Sequence, residues 1–248
     1  MLILSFDLPT FSQQINENGF TIFVSGILLT LSLYHFLLFF QHKDKAYLYY
    51  SLYAFFVFIH SYYRADSFFI KDLMTSFTPY VQFFHASNKW LYSTLYLLFA
   101  IKFIDLEKHN PKWNKIIKTT IGISLGFLIV TSVFSLIFNN IKITEYAFNY
   151  LFMPVSLILS ILILILLKNV KSVVKNYLFL GFSVFLIFAI ITQTLAFMGY
   201  SYRIIFYIGI IFETTLFALG LGYKQKNLLI EKNIAQFKEI QEHIINID

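Results

Sequence analysis

The amino-acid sequence predicts an all-α membrane protein: a seven-transmembrane helix bundle, N-out and C-in, with a C-terminal cytoplasmic helix. Three observations lead to this prediction. First, 58% of the 248 residues are hydrophobic and only 13% are charged, whereas about 25% of the residues of an average soluble domain are charged. Second, seven apolar runs are long enough to cross roughly 30 Å of hydrocarbon. Third, the basic residues lie mainly on one side of these runs.

The seven runs follow one another with polar or turn-rich breaks between them. They lie at residues 19–41, 46–64, 80–104, 116–138, 144–167, 176–200 and 203–223. Pro154 interrupts the fifth run and is expected to kink its helix. Only a few residues join the sixth run to the seventh, so these two should pack as an antiparallel hairpin. The stretch 156–167, SLILSILILILL, is apolar on every face, which excludes the alternating pattern of a β-barrel strand.

The basic residues set the predicted orientation. With the N-terminus outside, fourteen of the 19 lysine and arginine residues fall on the cytoplasmic side and five fall outside. This bias predicts a multi-pass protein of the cell inner (cytoplasmic) membrane with its N-terminus outside. The net charge of +6 therefore indicates lysines beside anionic inner-leaflet lipid, and no nucleic-acid partner is expected. Aromatic residues near span ends, such as Tyr47, Tyr50 and Trp90, are expected in the headgroup belts.

The chain divides into three predicted parts. Residues 1–18 lack the basic n-region of a signal peptide and are expected to form a short extracytoplasmic segment before the bundle of residues 19–225. Residues 226–248 are charged and carry a stripe of apolar side chains at coiled-coil spacing: Ile230, Ile234, Phe237 and Ile244. This stripe predicts a signalling helix that pairs with a second copy in a homodimer. The alternative is an amphipathic helix that lies on the inner leaflet.

Motifs in four of the spans resemble those of one protein family. They are GILLTLSLYHFLLFF at 26–40 with DKAYLYY at 44–50, FAIKFIDL at 99–106, NYLFLGF at 176–182, and GIIFE at 209–213 with ALGLGYK at 218–224. In this order the segments resemble the bacterial seven-transmembrane receptors with diverse intracellular signalling modules. The resemblance covers about residues 19–240 and concerns the membrane domain of these receptors.

This resemblance implies a receptor that relays an extracytoplasmic or intramembrane ligand signal to a cytoplasmic output. The output would be a histidine kinase or a regulator of the two-component type. Family members often carry an extracellular β-rich sensory domain before the first span, which residues 1–18 are too short to form. They usually continue into an output domain, so the output is expected in a separate cytoplasmic protein or in a fused downstream domain.

Glu213 lies about halfway along the seventh span and is the one carboxylate near the predicted centre of the bilayer. A carboxylate at this depth has to be protonated or paired, because an ionised group is costly in hydrocarbon. One interpretation is a hydrogen bond across helices that fixes the packing. The other is a two-state switch in which protonation or a ligand changes the partner of this side chain.

A second group of polar residues lies in the outer halves of the spans. If their helix faces converge, they form an outward-facing basic pocket for a small anionic or polar ligand. The candidate ligand-binding residues are His60, Arg64, His85, Asn88, Lys89, Gln193 and Arg203. The alternative for Arg64, Lys89 and Arg203 is that their side chains extend to lipid headgroups. His35, in the inner half of the first span, is expected to be a packing residue.

Other function classes fit the sequence less well. A small-solute transporter is the strongest alternative, but only Pro154 interrupts a span and no paired broken helix matches it. An intramembrane metal-dependent hydrolase comes third, because the sequence contains neither H-x-x-x-H nor H-E-x-x-H. The sequence therefore predicts no enzyme activity, no metal site and no cofactor within this chain.

Overall fold

The structure, a computed structural model, describes residues 8–63, 78–198 and 203–245. Its helices are α1 (Leu8–His42), α2 (Lys45–Tyr63), α3 (Thr78–Phe103), α4 (Leu106–His109), α5 (Pro111–Ile137), α6 (Lys142–Ala147), α7 (Met153–Leu166), α8 (Val174–Phe197) and α9 (Arg203–Ile245). A π-helical turn, Phe148–Phe152, joins α6 to α7, and a 3-10 turn, Leu167–Asn169, follows α7. Within the described ranges there is no strand.

Each of the seven predicted spans lies on a long helix or, for the fifth, on the continuous unit from α6 to α7, so the predicted all-α membrane fold is confirmed. Five described segments are long and apolar enough to cross a membrane: Gly19–His42, Pro111–Ile137, Lys142–Asn169, Val174–Thr192 and Ile204–Gln241. The other two long helices, α2 and α3, are rich in tyrosine and serine, which lowers their hydropathy. α3 packs against α2, α5, α7 and α8, and its Ser87, Asn88 and Thr94 side chains are buried.

Two helices extend past their predicted boundaries. The first helix begins at Leu8, before the predicted span that starts at residue 19. The last helix continues to Ile245 without a break at residue 225. The membrane orientation and the division into three parts stay predictions.

The first three helices pack closely through small and polar residues. Ser32 Oγ donates to the Ser51 carbonyl and Ser51 Oγ donates to the Ser32 carbonyl, each at 2.9 Å. Asn88 Nδ2 donates to the Phe56 carbonyl at 3.0 Å. Inside a membrane the hydrophobic effect does not drive helices together, because the lipid tails are as apolar as the helices. Contacts of small and polar side chains such as these hold the helices together instead.

Pro154 acts through the turn that precedes it. The π-helical turn Phe148–Phe152 ends where the amide of Met153 donates to the Phe148 carbonyl, five residues back. A proline in a helix removes one backbone donor and crowds the preceding turn, and a π-turn is one way to accommodate it. The ring of Trp90 packs on Phe152 with centroids 4.9 Å apart, which fixes this turn against α3.

Three helices end on a residue in the left-handed region although none of the three is a glycine. They are Lys43 (φ 56°), Asp105 (φ 48°) and Asn139 (φ 47°). A left-handed residue commonly ends a helix and satisfies its last carbonyls; the Lys43 amide donates to the Phe39 carbonyl at 2.8 Å. Asp and Asn tolerate this conformation better than most side chains. These turns put two aspartates, Asp44 and Asp105, beside the point where α9 leaves the bundle.

The short connection predicts that α8 and α9 form a hairpin, and the two helices do pack together, through glycines. A Cβ at Gly181 would lie 2.5 Å from Phe217 Cε1, and one at Gly209 would lie 2.6 Å from Phe188 Cβ. Neither position has room for a methyl group, because a Phe side chain from the opposite helix occupies that space. The two helices therefore approach each other closely and form one unit.

Gly220 and Gly222 on α9 provide a matched test of this packing. A Cβ at Gly220 would lie 2.5 Å from Phe103 Cζ and 2.8 Å from Tyr177 Cβ, whereas nothing lies within 4 Å of one at Gly222. Overpacking costs about 1–3 kcal/mol, and Ala is the better helix former by about 1 kcal/mol. We expect Gly220→Ala to lower the midpoint of thermal unfolding in detergent and Gly222→Ala to keep or raise it. Equal midpoints would contradict the close approach at Gly220.

Candidate functional site

A row of tyrosines on α2 donates hydrogen bonds to α9. Tyr47, Tyr50 and Tyr53 are spaced i, i+3 and i+6, so they share one face of α2. Their hydroxyls donate to the Leu221 carbonyl at 3.0 Å, the Thr214 carbonyl at 2.7 Å and Glu213 Oε2 at 2.7 Å, in that order. All three tyrosines are buried. This tyrosine row fixes the height and rotation of α9 relative to α2.

Glu213 is fully buried, with 0% of its surface exposed. Its Oε2 accepts the bond from Tyr53, whereas its Oε1 has no hydrogen-bond partner among the described residues. Tyr53 and Tyr96 pack on each other with ring centroids 5.6 Å apart. The carboxyl of α9 is therefore bonded to α2 through the Tyr53 phenol, and the Tyr96 ring places α3 beside the same group of residues.

Lys224 forms the second polar contact of α9 with the rest of the bundle. Its Nζ lies 3.0 Å from Asp44 Oδ2 and 3.2 Å from Asp105 Oδ2, and it donates to the Lys102 carbonyl at 3.2 Å. An ammonium group has three N–H donors, and three acceptors surround this one. The side chain is only 10% exposed. We call this group of residues the Lys224 clasp.

Local backbone structure positions both aspartates of the clasp. Asp44 follows the left-handed Lys43 and begins α2, where its Oδ1 accepts from the Ala46 amide at 2.9 Å. Its other oxygen, Oδ2, is thereby free to face Lys224. Asp105 itself adopts the left-handed conformation between α3 and α4. The clasp thus connects the exit of α9 to the turn after α1 and to the turn after α3.

A surface network supports the turn after α3. Glu107 Oε2 lies 2.9 Å from Lys102 Nζ and 3.3 Å from Lys118 Nζ. Hydrogen bonds from Lys102 and then Lys118 hold the pKa of the Glu107 carboxyl below its usual value. Because the three side chains come from α3, α4 and α5, they link the clasp turn to the next helix. The three side chains are 25% to 56% exposed, so these ion pairs contribute little to stability.

The structure brings two of the predicted ligand-binding residues to the contact between α2 and α3. His60 is buried against the Tyr92 ring, with centroids 5.5 Å apart, and Asn88 bonds to the backbone of α2. Lys89 is half-buried nearby on α3. Arg64 lies outside the described residues, as do the side chains of His85, Gln193 and Arg203. The pocket therefore stays a prediction.

The other predicted residues fall into two environments. His35 is a packing residue as expected: its Nδ1 donates to the Leu31 carbonyl at 2.8 Å, and its ring lies against Tyr50. Ile230, Ile234 and Phe237 are exposed on the part of α9 beyond the bundle. The side chain of Ile244 lies outside the described residues. Within residues 8–63, 78–198 and 203–245, no three His, Asp or Glu side chains form a group that could hold a metal ion.

A scan against protein-family models matches residues 17–224 to the model described as "7TM diverse intracellular signalling". The chain belongs to the 7TM diverse intracellular signalling family. The match confirms the resemblance seen in the sequence and supports a role in membrane signalling. No curated protein and no solved structure gives a significant match.

The segments that carry the family resemblance supply most of the polar contacts to α9. Asp44, Tyr47 and Tyr50 lie in the segment after the first span, and Asp105 ends the third. The sequence reasoning missed these roles, because it expected Tyr47, Tyr50 and Trp90 at headgroup belts. All three are fully buried, so that expectation is wrong for them. The i, i+3, i+6 spacing of tyrosines directly after a capping Asp was the signal available.

The hydrogen bond between Tyr53 and Glu213 can be tested by removing each partner in turn. Interhelical hydrogen bonds in membranes contribute about 0.5–2 kcal/mol. We expect Tyr53→Phe and Glu213→Leu to lower the midpoint of thermal unfolding in detergent. Glu213→Gln keeps an acceptor for Tyr53 and should stay close to wild type. Tyr49→Phe is the control, since it removes a hydroxyl from a half-buried tyrosine of the same helix. A drop as large for Tyr49→Phe would exclude a specific contribution of Tyr53.

Proposed function

We propose that this family member is a signal-transducing receptor of a bacterial inner membrane, with its N-terminus outside. A ligand bound in the outer half of the bundle changes the position of α9. This helix carries the change to a cytoplasmic output, a histidine kinase or a regulator that is fused downstream or separate. The observation that carries the proposal is the continuity of α9, 43 residues from Arg203 to Ile245.

The contacts of α9 differ along its two sides, and this difference supports a movable unit. Toward α8 the contact is a glycine-based close fit that leaves no room for sliding. Toward α2 it consists of the tyrosine row and the Lys224 clasp, whose hydroxyl and ammonium donors can exchange acceptors. The hairpin of α8 and α9 would then move as one piece, and shifts of about 1–2 Å are sufficient for switching.

Glu213 and the clasp are the two positions where such a shift would be registered. Protonation or a new partner at Glu213 would alter its bond with Tyr53. Movement of the hairpin would separate Lys224 from at least one aspartate. The tyrosine row and the clasp therefore hold α9 in one of two positions, and the outer pocket around His60 and Asn88 biases the choice between them.

The helix beyond the bundle is the proposed dimer contact. From Leu228 to Gln241 every residue of α9 is exposed. The apolar stripe of Ile230, Ile234, Phe237 and Ile244 would be covered by the same stripe of a second copy, as in a two-stranded coiled coil. A dimer of this kind would present the moving helices side by side to the output.

Release of the clasp tests the relay. Lys224→Met removes the cation that faces Asp44 and Asp105, whereas Lys226→Met removes an exposed charge two residues away. Each variant gene is expressed in a deletion strain of the source bacterium, and transcript levels are compared with those of the wild type. With Lys224→Met, we expect the transcripts that change in the deletion strain to stay different from their wild-type levels. Lys226→Met should restore them to wild type. Immunoblots of the membrane fraction establish equal amounts of both variants.

A direct distance measurement separates a moved helix from a misfolded one. The chain has no cysteine, so spin labels at Lys112→Cys and Leu229→Cys report one distance between α5 and α9. With Lys224→Met the mean distance should change by about 2 Å or more, while Lys226→Met should leave it unchanged. If the deletion alters solute uptake but no transcript, the chain is a transporter and the relay is wrong.

Cysteine crosslinking tests the dimer in native membranes. Phe237→Cys lies on the apolar stripe and Glu239→Cys lies on the opposite side of the same helical turn, so the pair is matched for depth and exposure. Oxidation should produce a covalent dimer of Phe237→Cys at several times the yield of Glu239→Cys. Equal or absent crosslinking at both positions would contradict the coiled coil.

A further inference from the structure

The membrane-spanning part of α9 has one buried side and one exposed side. Toward the bundle, Ile210 and Phe217 are 2% and 0% exposed. On the other side, Phe212 and Leu219 are 53% and 57% exposed, and Thr215 between them is exposed as well. Thr215 lies three residues after Phe212 and four before Leu219, so the three side chains share one face of the helix. We call these three residues the outward face of α9.

The outward face lies in line with the apolar stripe on the part of α9 beyond the bundle. An α-helix turns by about 100° per residue, so two residues that are 18 positions apart lie at the same angle after five turns. Phe212 and Ile230 are 18 positions apart, and so are Leu219 and Phe237. Because α9 is one unbroken helix, a second copy that covers Ile230 and Phe237 also lies opposite Phe212 and Leu219.

The stripe beyond the bundle is short for a dimer contact. Residues 226–245 make up fewer than three heptads, and helices of this length are marginal in water without further packing. A contact that begins at Phe212 and continues to Phe237 is about 38 Å long at 1.5 Å per residue. The membrane-embedded part would therefore supply the length that the cytoplasmic part lacks.

Thr215 gives the outward face a polar group inside the membrane. The hydroxyl of the exposed Thr194 on α8 donates to the Ile190 carbonyl of its own helix at 2.9 Å. Thr215 forms no such bond within the described part of the chain. Lipid tails offer no hydrogen-bond partner, so an unpaired hydroxyl is costly among them. The same hydroxyl of a second copy, which is both donor and acceptor, would satisfy it.

We propose that the outward face of α9 is the membrane-embedded half of a homodimer contact and that the same face of a second copy covers it. The inference rests on the dimer in the proposed function and extends that dimer from the cytoplasm into the bilayer. The two α9 helices lie side by side at a two-fold axis, as a contact between identical faces requires. The two Thr215 hydroxyls form a hydrogen bond across this axis, between the paired Phe212 and Leu219 side chains.

Cysteine crosslinking inside the membrane tests this contact. The chain has no cysteine, so Leu219→Cys and Phe179→Cys each provide a single thiol. Phe179 is the control, because it is 52% exposed on α8 and lies at a similar depth: Leu219 and Phe179 are each two residues from the packed pair of Phe217 and Gly181. Oxidation of native membranes with copper phenanthroline should crosslink Leu219→Cys at several times the yield of Phe179→Cys.

The result for Phe237→Cys separates this inference from the proposed function. If Phe237→Cys forms a dimer while Leu219→Cys is no better than Phe179→Cys, the membrane contact is overturned and the coiled coil stands. If Leu219→Cys forms a dimer and Phe237→Cys does not, the membrane contact stands and the coiled coil is contradicted. Absence of a dimer at both positions overturns both.

Removal of one hydroxyl tests the hydrogen bond between the two copies. Copies labelled with a donor or an acceptor fluorophore at Lys45→Cys, an exposed site at the start of α2, are reconstituted together in phosphatidylcholine vesicles. Dilution with lipid then dissociates the dimer. Thr215→Val should lower the lipid-to-protein ratio at half-dissociation about threefold, and Thr194→Val should leave it unchanged. Equal ratios for the two variants would overturn the contact through Thr215.

Discussion

The three hydrogen bonds of the Lys224 ammonium group determine where the last helix can leave the bundle. A cation that is 90% enclosed must be neutralised, and the two carboxylates that do so come from separate turns. The two turns contain the left-handed residues Lys43 and Asp105, and Asp44 also caps α2. With α2 held in this way, the tyrosine row lies opposite its acceptors on α9. Loss of any one acceptor would leave a buried charge incompletely paired. The turns after α1 and α3 and the exit of α9 are therefore joined at one polar contact, the Lys224 clasp.

The bundle combines two kinds of helix contact that differ in how they respond to force. Glycine at Gly181 and Gly209 allows the backbones of α8 and α9 to approach closely, and such packing has one solution. The contact between α9 and α2 consists instead of hydrogen bonds from tyrosine hydroxyls of α2 to acceptors on α9. In the proposed relay, a movement of α8 would pass to α9 through their close packing, and the hydrogen bonds between α9 and α2 would change. In the proposed relay, this difference between the two contacts would let α9 move while the fold stays intact.

The sequence predicts the helices well and their partners poorly, for a physical reason. The length of an apolar run is a local property, so each of the seven predicted spans falls on helical residues in the described part of the chain. The direction in which a side chain faces depends on which helices pack together. Tyr47 and Tyr50 were therefore placed at headgroups although they are buried against α9. Lys224 was counted among the lysines beside lipid, because its acceptors Asp44 and Asp105 lie far from it in sequence. Glu213 could be recognised, since its cost in hydrocarbon depends on depth alone.

In the proposed relay, α9 would pivot at the Lys224 clasp, and its length would enlarge the movement of its far end. From Lys224 to Ile245 the helix extends for about 32 Å at 1.5 Å per residue. A tilt of about 5° at the clasp would displace the end of the helix by about 3 Å, more than the roughly 1–2 Å helix shifts that are sufficient for switching. The size of this displacement depends on the number of residues between the clasp and the end of the helix. Insertion of residues in this segment would also turn the tip by about 100° per residue, so length and phase are coupled in the same element.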